Sequence, residues 1–326
     1  MVTDLRSPAL PPKNQGSSEG DMDQVLGMLF GIALGDALGW PAEPLTLAQI
    51  KARFGPQGVQ ELPEPALFTD DTQMTLAVAE ALIDAGDQDL EGLLAAVSRR
   101  FVEWLHNPES YRAPGASCLY GARQLQRGVP WREAGNPGSK GCGAAMRVAP
   151  IGYFYQHDLP RLRGVAAATA LTTHRHPAAE LGAVAAAYLV KLALDQAPPA
   201  DFVRLLREEI QGLVADVDQA LARLEQAFQM PDPTAALAHI GEGWVAEEAV
   251  LGALFCFLQY PRDYLAAVRL AANTSGDSDS LAALTGGISG AYLGIRALPP
   301  AWVARVEKSA YLRDVARRLA MKKGEI

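Results

Sequence analysis

Near its N-terminus the chain reads Gly31-Ile32-Ala33-Leu34-Gly35-Asp36-Ala37-Leu38-Gly39-Trp40-Pro41-Ala42-Glu43. Its apolar residues recur at helical spacing, and its three glycines are four residues apart, so the glycines share one face of a helix. Small residues on one face allow a second helix to approach closely. The segment predicts a closely packed helix that ends in a loop. Taken alone, Asp36 is interpreted as a buried carboxylate that satisfies nearby backbone groups, and Glu43 as a solvated loop charge.

The same spacing of apolar residues continues outward from this segment along most of the chain. The apolar stretches are rich in Ala and Leu, with Glu and Arg in several, and all four are strong helix formers. Few stretches alternate as strands do. The sequence therefore predicts an all-α fold. The predicted helices cover residues 22–38, 72–85, 90–105, 165–170, 177–194, 201–228, 243–259, 264–273, 281–295 and 301–322.

Gly and Pro cluster between these helices, and none of the clusters resembles a domain linker. We expect one helical domain over residues 21–326, preceded by a disordered tail of residues 1–20 that is rich in Pro, Ser, Asn and Gly. Two inter-helix loops, near residues 55–70 and 128–143, are longer than the connections of ordinary helical bundles. Long loops on a helical body often carry function.

The composition narrows the class of protein. Against 29 Lys and Arg residues stand 37 Asp and Glu, a formal net charge of −8, so nucleic acid is not an expected partner. The cysteines Cys118, Cys142 and Cys256 are odd in number and far apart, which indicates neither a disulfide framework nor a zinc site. The apolar runs fall short of the roughly 20 residues that a membrane span needs. We expect a cytoplasmic monomer with no membrane contact.

The first acidic cluster is Phe68-Thr69-Asp70-Asp71-Thr72, just before the helix predicted from residue 72. Carboxylates are favourable at the positive N-terminal end of a helix, and one Asp or Thr is enough to cap it. Two adjacent carboxylates between two hydroxyls exceed that need. Capping and a metal-binding or catalytic role remain equally supported by this motif alone.

The second acidic cluster is Ser275-Gly276-Asp277-Ser278-Asp279-Ser280, which also opens a predicted helix. An Asp-x-Asp arrangement in an extended loop can aim both carboxylates at one point, and such oxygen ligands suit Mg²⁺, Mn²⁺ or Ca²⁺. The spacing is not that of an EF-hand. If the two clusters meet, Asp70, Asp71, Asp277 and Asp279 repel one another, and two divalent cations would neutralise them.

Two further motifs are ambiguous on their own. A glycine-rich loop, residues 138–147, could bring backbone N–H groups close to phosphate oxygens, or it could be a plain turn. It matches neither GxGxxG nor the P-loop, and its Met146 is expected in the core. His174 and His176 lie between helices, where they could face a ligand or cap the next helix. Among the tryptophans, only Trp40 stands near a motif.

Four of these motifs together, in this order and over residues 24–296, closely resemble the ADP-ribosylglycohydrolase family, also called the dinitrogenase-reductase-activating glycohydrolase type. The combination is specific, whereas each part alone is not. The Thr173-His174 pair also resembles a family feature. The matching parts are Gly35-Asp36-Ala37-Leu38-Gly39 with Glu43, Phe68-Thr69-Asp70-Asp71-Thr72, Gly141-Cys142-Gly143-Ala144-Ala145-Met146-Arg147, and Gly276-Asp277-Ser278-Asp279-Ser280.

The resemblance implies a compact single domain of many helices with a central cleft that holds two Mg²⁺ or Mn²⁺ ions. It implies a metal-dependent hydrolase that releases ADP-ribose from an ADP-ribosylated protein or from a small ADP-ribose adduct. Glu43, Asp70 and Asp279 take the catalytic positions. The implied metal ligands are Thr69, Asp70, Asp71, Asp277, Asp279 and Ser280. The implied substrate-binding residues are Ser139, Gly141, Cys142, Gly143 and His174.

Two positions depart from the family's frequent pattern. Ser280 replaces a threonine and keeps the hydroxyl that a metal ligand needs. Cys142 replaces an asparagine, so an amide donor and acceptor is lost beside the expected ribose. The acceptor stays open among arginine, serine and a small ester. The alternative function is that of a non-catalytic ADP-ribose-binding or structural relative, against which the four intact carboxylates argue.

Overall fold

A computed structural model describes residues 18–325, and over this range the protein is all-α without a β-strand. Residues 1–17 of the predicted tail lie outside the described residues, whereas residues 18–20 are the first of helix α1. The described helices are α1 (Ser18–Gly39), α2 (Leu47–Phe54), α3 (Asp70–Ala85), α4 (Leu90–Leu105), α5 (Ala116–Gln126), α6 (Trp131–Ala134), α7 (Ala149–Phe154), α8 (Leu159–Leu171), α9 (Pro177–Leu194), α10 (Phe202–Ile210), α11 (Ala215–Ala227), α12 (Pro233–Ile240), α13 (Ala246–Gln259), α14 (Tyr264–Ala272), α15 (Ser278–Leu293), α16 (Pro300–Arg305) and α17 (Ser309–Lys323).

Helices α1 and α15 form the central pair of the fold, and they run antiparallel along a line of small residues that we call the glycine seam. A Cβ added to Gly31 would lie 2.1 Å from the carbonyl oxygen of Gly286, and one added to Gly286 would lie 2.0 Å from that of Gly31. The seam continues through Gly35, whose added Cβ would lie 2.1 Å from the Ala282 carbonyl oxygen. The two backbones therefore touch without room for a methyl group, as the glycine spacing predicts.

The seam determines which ends of the two helices meet. At its far end Gly39, the last residue of α1, packs against Ser278, the first residue of α15. The Ser278 hydroxyl donates a 3.0 Å hydrogen bond to the Gly39 carbonyl oxygen. The loop with Glu43 after α1 is thereby brought beside the second acidic cluster at the start of α15.

Two helical segments, Glu19–Ala42 and Pro177–Leu194, are long and apolar enough to cross a membrane by length and composition. Within the fold, however, 83% and 78% of their apolar windows are buried. Both segments therefore belong to the protein core, which accounts for their lack of a polar face.

Most of the predicted helices are confirmed, and α4 and α9 have the predicted bounds. Two predictions are wrong because one long helix was expected where the chain breaks. Residues 201–228 divide into α10 and α11 at Gly212, which has a left-handed φ of 80°. Residues 301–322 divide into α16 and α17 at Lys308, whose φ is 53°. Among the helices that the pattern missed, α2 begins with a capping box formed by Thr46 and Gln49.

Candidate active site

A cavity of about 250 Å³ opens where the loop after α1 meets the N-terminal ends of α3 and α15. It collects residues from every motif that the sequence singled out. Thr69 is the one predicted site residue outside its lining. The predicted residues that line it are Glu43, Asp70, Asp71, Ser139, Gly141, Cys142, Gly143, His174, Asp277, Asp279 and Ser280.

Asp36 organises the first acidic cluster from beneath. It is completely buried on α1, and it accepts hydrogen bonds from the backbone N–H groups of Thr69 and Thr72, each at 3.0 Å. The hydroxyls of the same two threonines donate to it at 2.9 and 2.6 Å. The interpretation of Asp36 as a carboxylate that satisfies backbone groups is therefore confirmed, and the groups it satisfies belong to the turn that presents Asp70 and Asp71.

Asp70 and Asp71 lie at the first turn of α3 and are almost fully buried. One Asp70 oxygen accepts a 3.1 Å hydrogen bond from the backbone N–H of Gly115. Asp71 Oδ2 lies 3.3 Å from the Thr69 hydroxyl oxygen, whose proton is directed at Asp36, whereas Asp71 Oδ1 is buried without a hydrogen-bond partner among the described residues. Capping is done by the Thr69 side chain, which accepts from the Asp71 N–H, so these carboxylates are not needed for that purpose.

Glu43, Asp277 and Asp279 form the other wall, and one carboxylate oxygen from each lies within 4.8 Å of the other two. The two loops that carry them are joined by hydrogen bonds. The backbone N–H of Leu47 donates to the Ser275 hydroxyl at 2.9 Å, and that of Gly276 donates to the Leu45 carbonyl oxygen at 3.3 Å. Glu43 is therefore part of the acidic pocket, and its interpretation as a solvated loop charge is wrong.

The pocket is electrostatically unfavourable for carboxylates alone. Burial, followed by the charges of Asp279 and Asp277, raises the pKa of Glu43 to about 10. Burial and the charge of Asp279 raise the pKa of Asp36 to about 7. Burial likewise raises the pKa values of Asp71 and Asp277 well above their ordinary range. No Lys or Arg side chain lines the cavity among residues 18–325.

Divalent cations fit this pocket. Its side chains offer several carboxylate oxygens and the hydroxyl of Ser280, which are the hard ligands that Mg²⁺ and Mn²⁺ prefer. The unpartnered Oδ1 of Asp71 is a buried acceptor that a cation would satisfy. Thr69 does not line the cavity, and its hydroxyl gives its proton to Asp36 at 2.9 Å.

The glycine loop, residues 138–147, lines the cavity beside these carboxylates. Two backbone hydrogen bonds anchor it to the start of α13, from Cys142 N–H to Trp244 O at 3.1 Å and from Ala246 N–H to Lys140 O at 2.8 Å. The Lys140 ammonium turns away to Glu247 at 2.6 Å. The Cys142 thiol donates to Asp277 Oδ2 at 2.8 Å, so the loop contacts the acidic wall directly.

The two histidines have different positions. His174 lines the cavity and is 2% exposed, and burial together with the charge of Arg147 lowers its pKa to about 3. It is therefore neutral near pH 7. His176 is the N-cap of α9, where its side chain accepts from the Ala178 N–H, so the capping interpretation applies to His176 alone.

Sequence reasoning missed several residues of the lining. Trp244, which is 41% exposed, reaches the cavity, whereas Trp40, the tryptophan nearest to a motif, does not line it. Met146 is buried as expected and also reaches the cavity wall. No local pattern marks this set, because tertiary contacts bring it to the cavity. The other missed lining residues are Ala113, Gly115, Ala116, Ser117 and Cys118.

The fold and the cleft define an all-helical protein with a buried acidic pocket. Residues 17–325 match the ADP-ribosylglycohydrolase family. An uncharacterized protein of Archaeoglobus fulgidus is 33% identical over 300 residues, which cover 89% of this chain and 94% of that protein. ADP-ribosylarginine hydrolase Tri1 of Pseudomonas putida is 26% identical over 310 residues, 91% of this chain and 78% of that protein.

A solved structure described as an ADP-ribosylglycohydrolase-related protein complex has a TM-score of 0.74 and 28% sequence identity, and the match covers 94% of this chain and 99% of that one. This chain belongs to the ADP-ribosylglycohydrolase family and is an enzyme of that class. The predicted family and the predicted all-α single domain are confirmed.

Proposed function

We propose that this enzyme is a metal-dependent hydrolase that cleaves the bond between ADP-ribose and a modified side chain and releases ADP-ribose. One observation carries the proposal. Five carboxylates from two walls line a single cavity that contains no lysine or arginine side chain among the described residues, and one buried carboxylate oxygen there has no partner. These five carboxylates belong to Glu43, Asp70, Asp71, Asp277 and Asp279.

The proposed ions are two Mg²⁺ or Mn²⁺. When bound, they supply positive charge that orients the hydroxyls of the ribose and activates water. Asp36 supports this site from behind, because its hydrogen bonds from Thr69 and Thr72 direct the lone pairs of the Thr69 hydroxyl away from α1. The proposed ligands are Thr69, Asp70, Asp71, Asp277, Asp279 and Ser280.

Glu43 is the proposed acid and base. Its carboxyl lies beside Asp277 and Asp279 in the cavity, and a protonated carboxyl there can give its proton to the leaving acceptor atom. Asp70 and Asp279 are proposed to stabilise the positive charge that develops on the ribose as its bond to the acceptor breaks. No covalent nucleophile is part of this proposal.

The glycine loop and its neighbours in the lining are proposed to bind the rest of ADP-ribose. The glycine loop offers close backbone approach to phosphate or ribose oxygens, and Ser139 and His174 line the same side. Cys142 takes the place of an amide, and its thiol donates to Asp277. We therefore propose that the Cys142 side chain makes no amide hydrogen bond to the ligand.

We propose an ADP-ribosylated protein, modified on arginine, as the first substrate to test. One relative is named an ADP-ribosylarginine hydrolase. Trp244 at the cavity, with the Glu242 carboxylate 3.3 Å from its indole nitrogen, offers an aromatic face and a negative charge, both of which suit a guanidinium group. Serine linkages and small ADP-ribose esters are the other substrates of the assay.

The cellular setting completes the proposal. The three cysteines of this chain are free thiols, which fits the reducing cytoplasm. The net charge of −8 disfavours nucleic acid as a partner, and we propose a monomer.

The test is release of free ADP-ribose from arginine-linked and serine-linked ADP-ribosyl peptides and from a small ADP-ribose ester, with Mg²⁺, Mn²⁺ or EDTA. Wild type is compared with Glu43→Gln, and with Glu61→Gln as a matched control, because the Glu61 side chain is 74% exposed. We expect metal-dependent release that Glu43→Gln loses and Glu61→Gln keeps. Saturable ADP-ribose binding without release from any substrate would replace this proposal by the non-catalytic binding function.

A further inference from the structure

A chain of buried hydrogen bonds leads from Arg147 to the cavity through Thr173 and His174. Arg147 Nη2 donates to Thr173 Oγ1 at 2.7 Å, and Thr173 Oγ1 lies 2.7 Å from His174 Nδ1. Arg147 and Thr173 are fully buried, and His174 is 2% exposed. Water therefore does not compete for these contacts, and the donors and acceptors must match among themselves.

The direction of each bond follows from the proton inventory. An arginine can only donate, so the Thr173 oxygen accepts from Arg147. The single hydroxyl proton of Thr173 is then left for another acceptor, and His174 Nδ1 is the one acceptor in contact with it within residues 18–325. In a neutral imidazole, a ring nitrogen that accepts leaves the proton on the other nitrogen. His174 therefore carries its proton on Nε2.

Nε2 is the nitrogen that faces the ligand side of the glycine loop. A Cβ added to Gly141 would lie 3.1 Å from it, and one added to Gly143 would lie 3.4 Å from it. No hydrogen bond of Nε2 is found to any residue of the described chain. The Nε2–H group is thus a donor that points at the space where an oxygen of a ligand can lie. The other tautomer would present a lone pair there and repel such an oxygen.

We propose that Thr173, oriented by Arg147, is a positioning residue that fixes His174 as the Nε2–H tautomer and so gives the cleft a donor for a phosphate or ribose oxygen of ADP-ribose. The choice of ligand rests on the proposed function, whereas the tautomer does not. Arg147 also donates to the Gly143 carbonyl oxygen at 2.5 Å, so the same cation aligns the glycine loop with the imidazole.

The tautomer is read directly from the ¹⁵N shifts of the His174 ring, with the signal assigned by its loss in His174→Asn. We expect a protonated Nε2 and an unprotonated Nδ1 in the wild-type protein at pH 7. A protonated Nδ1, or a doubly protonated ring, would overturn the proposal. This measurement needs no substrate and no activity, so it determines the His174 tautomer even if the protein does not hydrolyse ADP-ribosyl peptides.

Two variants test the role of the hydroxyl, one that replaces it by a methyl group and one that keeps it. Thr173→Val removes it, and we expect a mixture of His174 tautomers and roughly twofold weaker calorimetric binding of ADP-ribose, because an equal mixture halves the fraction of protein with the Nε2–H donor. Thr173→Ser restores the hydroxyl, and we expect both the wild-type spectrum and the wild-type affinity. Unchanged tautomer in Thr173→Val, or equal ADP-ribose affinity of the two variants, would contradict the positioning role.

Discussion

The glycine seam runs along helices α1 and α15, and the acidic pocket lies at the end of the same two helices. Close packing determines the structure of the seam, whereas electrostatic repulsion dominates in the pocket. In the seam, backbones touch and added atoms would collide, as at Gly31 and Gly286. In the pocket, carboxylates crowd together with raised pKa values, and one oxygen of Asp71 has no hydrogen-bond partner within residues 18–325. The seam packs without a ligand, whereas the crowded carboxylates of the pocket would be balanced by the proposed cations.

This difference indicates how the fold stabilises an electrostatically unfavourable site. A packed seam resists displacement, so it holds Glu43 beside Asp277 and Asp279 although burial and the two aspartates disfavour an ionised third carboxylate there. Substitutions in the seam should therefore lower stability first. Substitutions in the pocket should lower activity and leave stability unchanged or higher.

The largest expected effect is that of Asp279→Ala on activity. Because Asp279 contacts Glu43 and contributes to a proposed metal site, we expect kcat/KM for ADP-ribose release to fall roughly 10³-fold or more. The thermal unfolding temperature of the metal-free protein should stay equal or rise, because one of the repelling charges is removed. A large loss of stability in this variant would show that Asp279 stabilises the fold, as the seam residues do, and would contradict the distinction between seam and pocket.

The second effect is that of Gly286→Ala on stability. Its Cβ would meet the Gly31 carbonyl oxygen at 2.0 Å, so α1 and α15 must move apart, and we expect a loss of about 3 kcal/mol in the free energy of unfolding. The matched control is Gly164→Ala on the exposed side of α8, where an added Cβ meets nothing within 4 Å. Chemical denaturation should show Gly164→Ala as neutral or slightly stabilising. Equal losses in both variants would disprove close packing of the seam.

The third effect is on the pH dependence of the metal-free protein. Folding raises the pKa of Asp36 from its ordinary value of 3.8 to about 7 and that of Glu43 from 4.5 to about 10. The folded state therefore binds more protons, and stability is highest at low pH and falls as pH rises through these values. Between pH 5 and pH 6, we expect these two groups to cause a loss of roughly 2 kcal/mol in EDTA and a smaller loss with Mn²⁺. Equal pH profiles with and without the ion would contradict the account.

The smallest expected effect is that of Asp36→Asn on Mn²⁺ affinity. Asp36 lies between the seam and the pocket. The amide places an NH₂ group among four donors of Thr69 and Thr72, so the turn before α3 loses its anchor. We expect about tenfold weaker Mn²⁺ binding by titration calorimetry, the size seen when a residue that orients metal ligands is removed. The Asp84→Asn variant on an exposed face of α3 is the control and should bind as wild type does.

The sequence predicted the two acidic clusters, the close helix approach and the family, because each leaves a local pattern. Four-residue glycine spacing indicated that α1 packs closely, but the partner helix α15 is identified only in the fold. The meeting of Asp70 and Asp71 with Asp277 and Asp279 was a hypothesis from charge, and the structure brings all four to one cavity.

What the sequence missed depends on tertiary contacts or on the backbone. Trp244 reaches the cavity because its own carbonyl oxygen accepts from the Cys142 N–H of the glycine loop, and no motif marks it. The break between α10 and α11 occurs at Gly212, a signal that the helical pattern on both sides obscured. The break before α17 occurs at Lys308, which has no such signal. Glu43 could be placed in the pocket only by its resemblance to a family, since its local sequence indicates a surface loop.

We expect this pocket to bind divalent cations. A stoichiometric Mn²⁺ titration followed by electron paramagnetic resonance measures this binding directly. The wild-type protein should bind two ions per chain, and Asp71→Asn should bind fewer with no loss of stability. Absence of saturable Mn²⁺ and Mg²⁺ binding in a folded wild-type protein would contradict the account, because five carboxylates would then share the cavity without the cations that balance them.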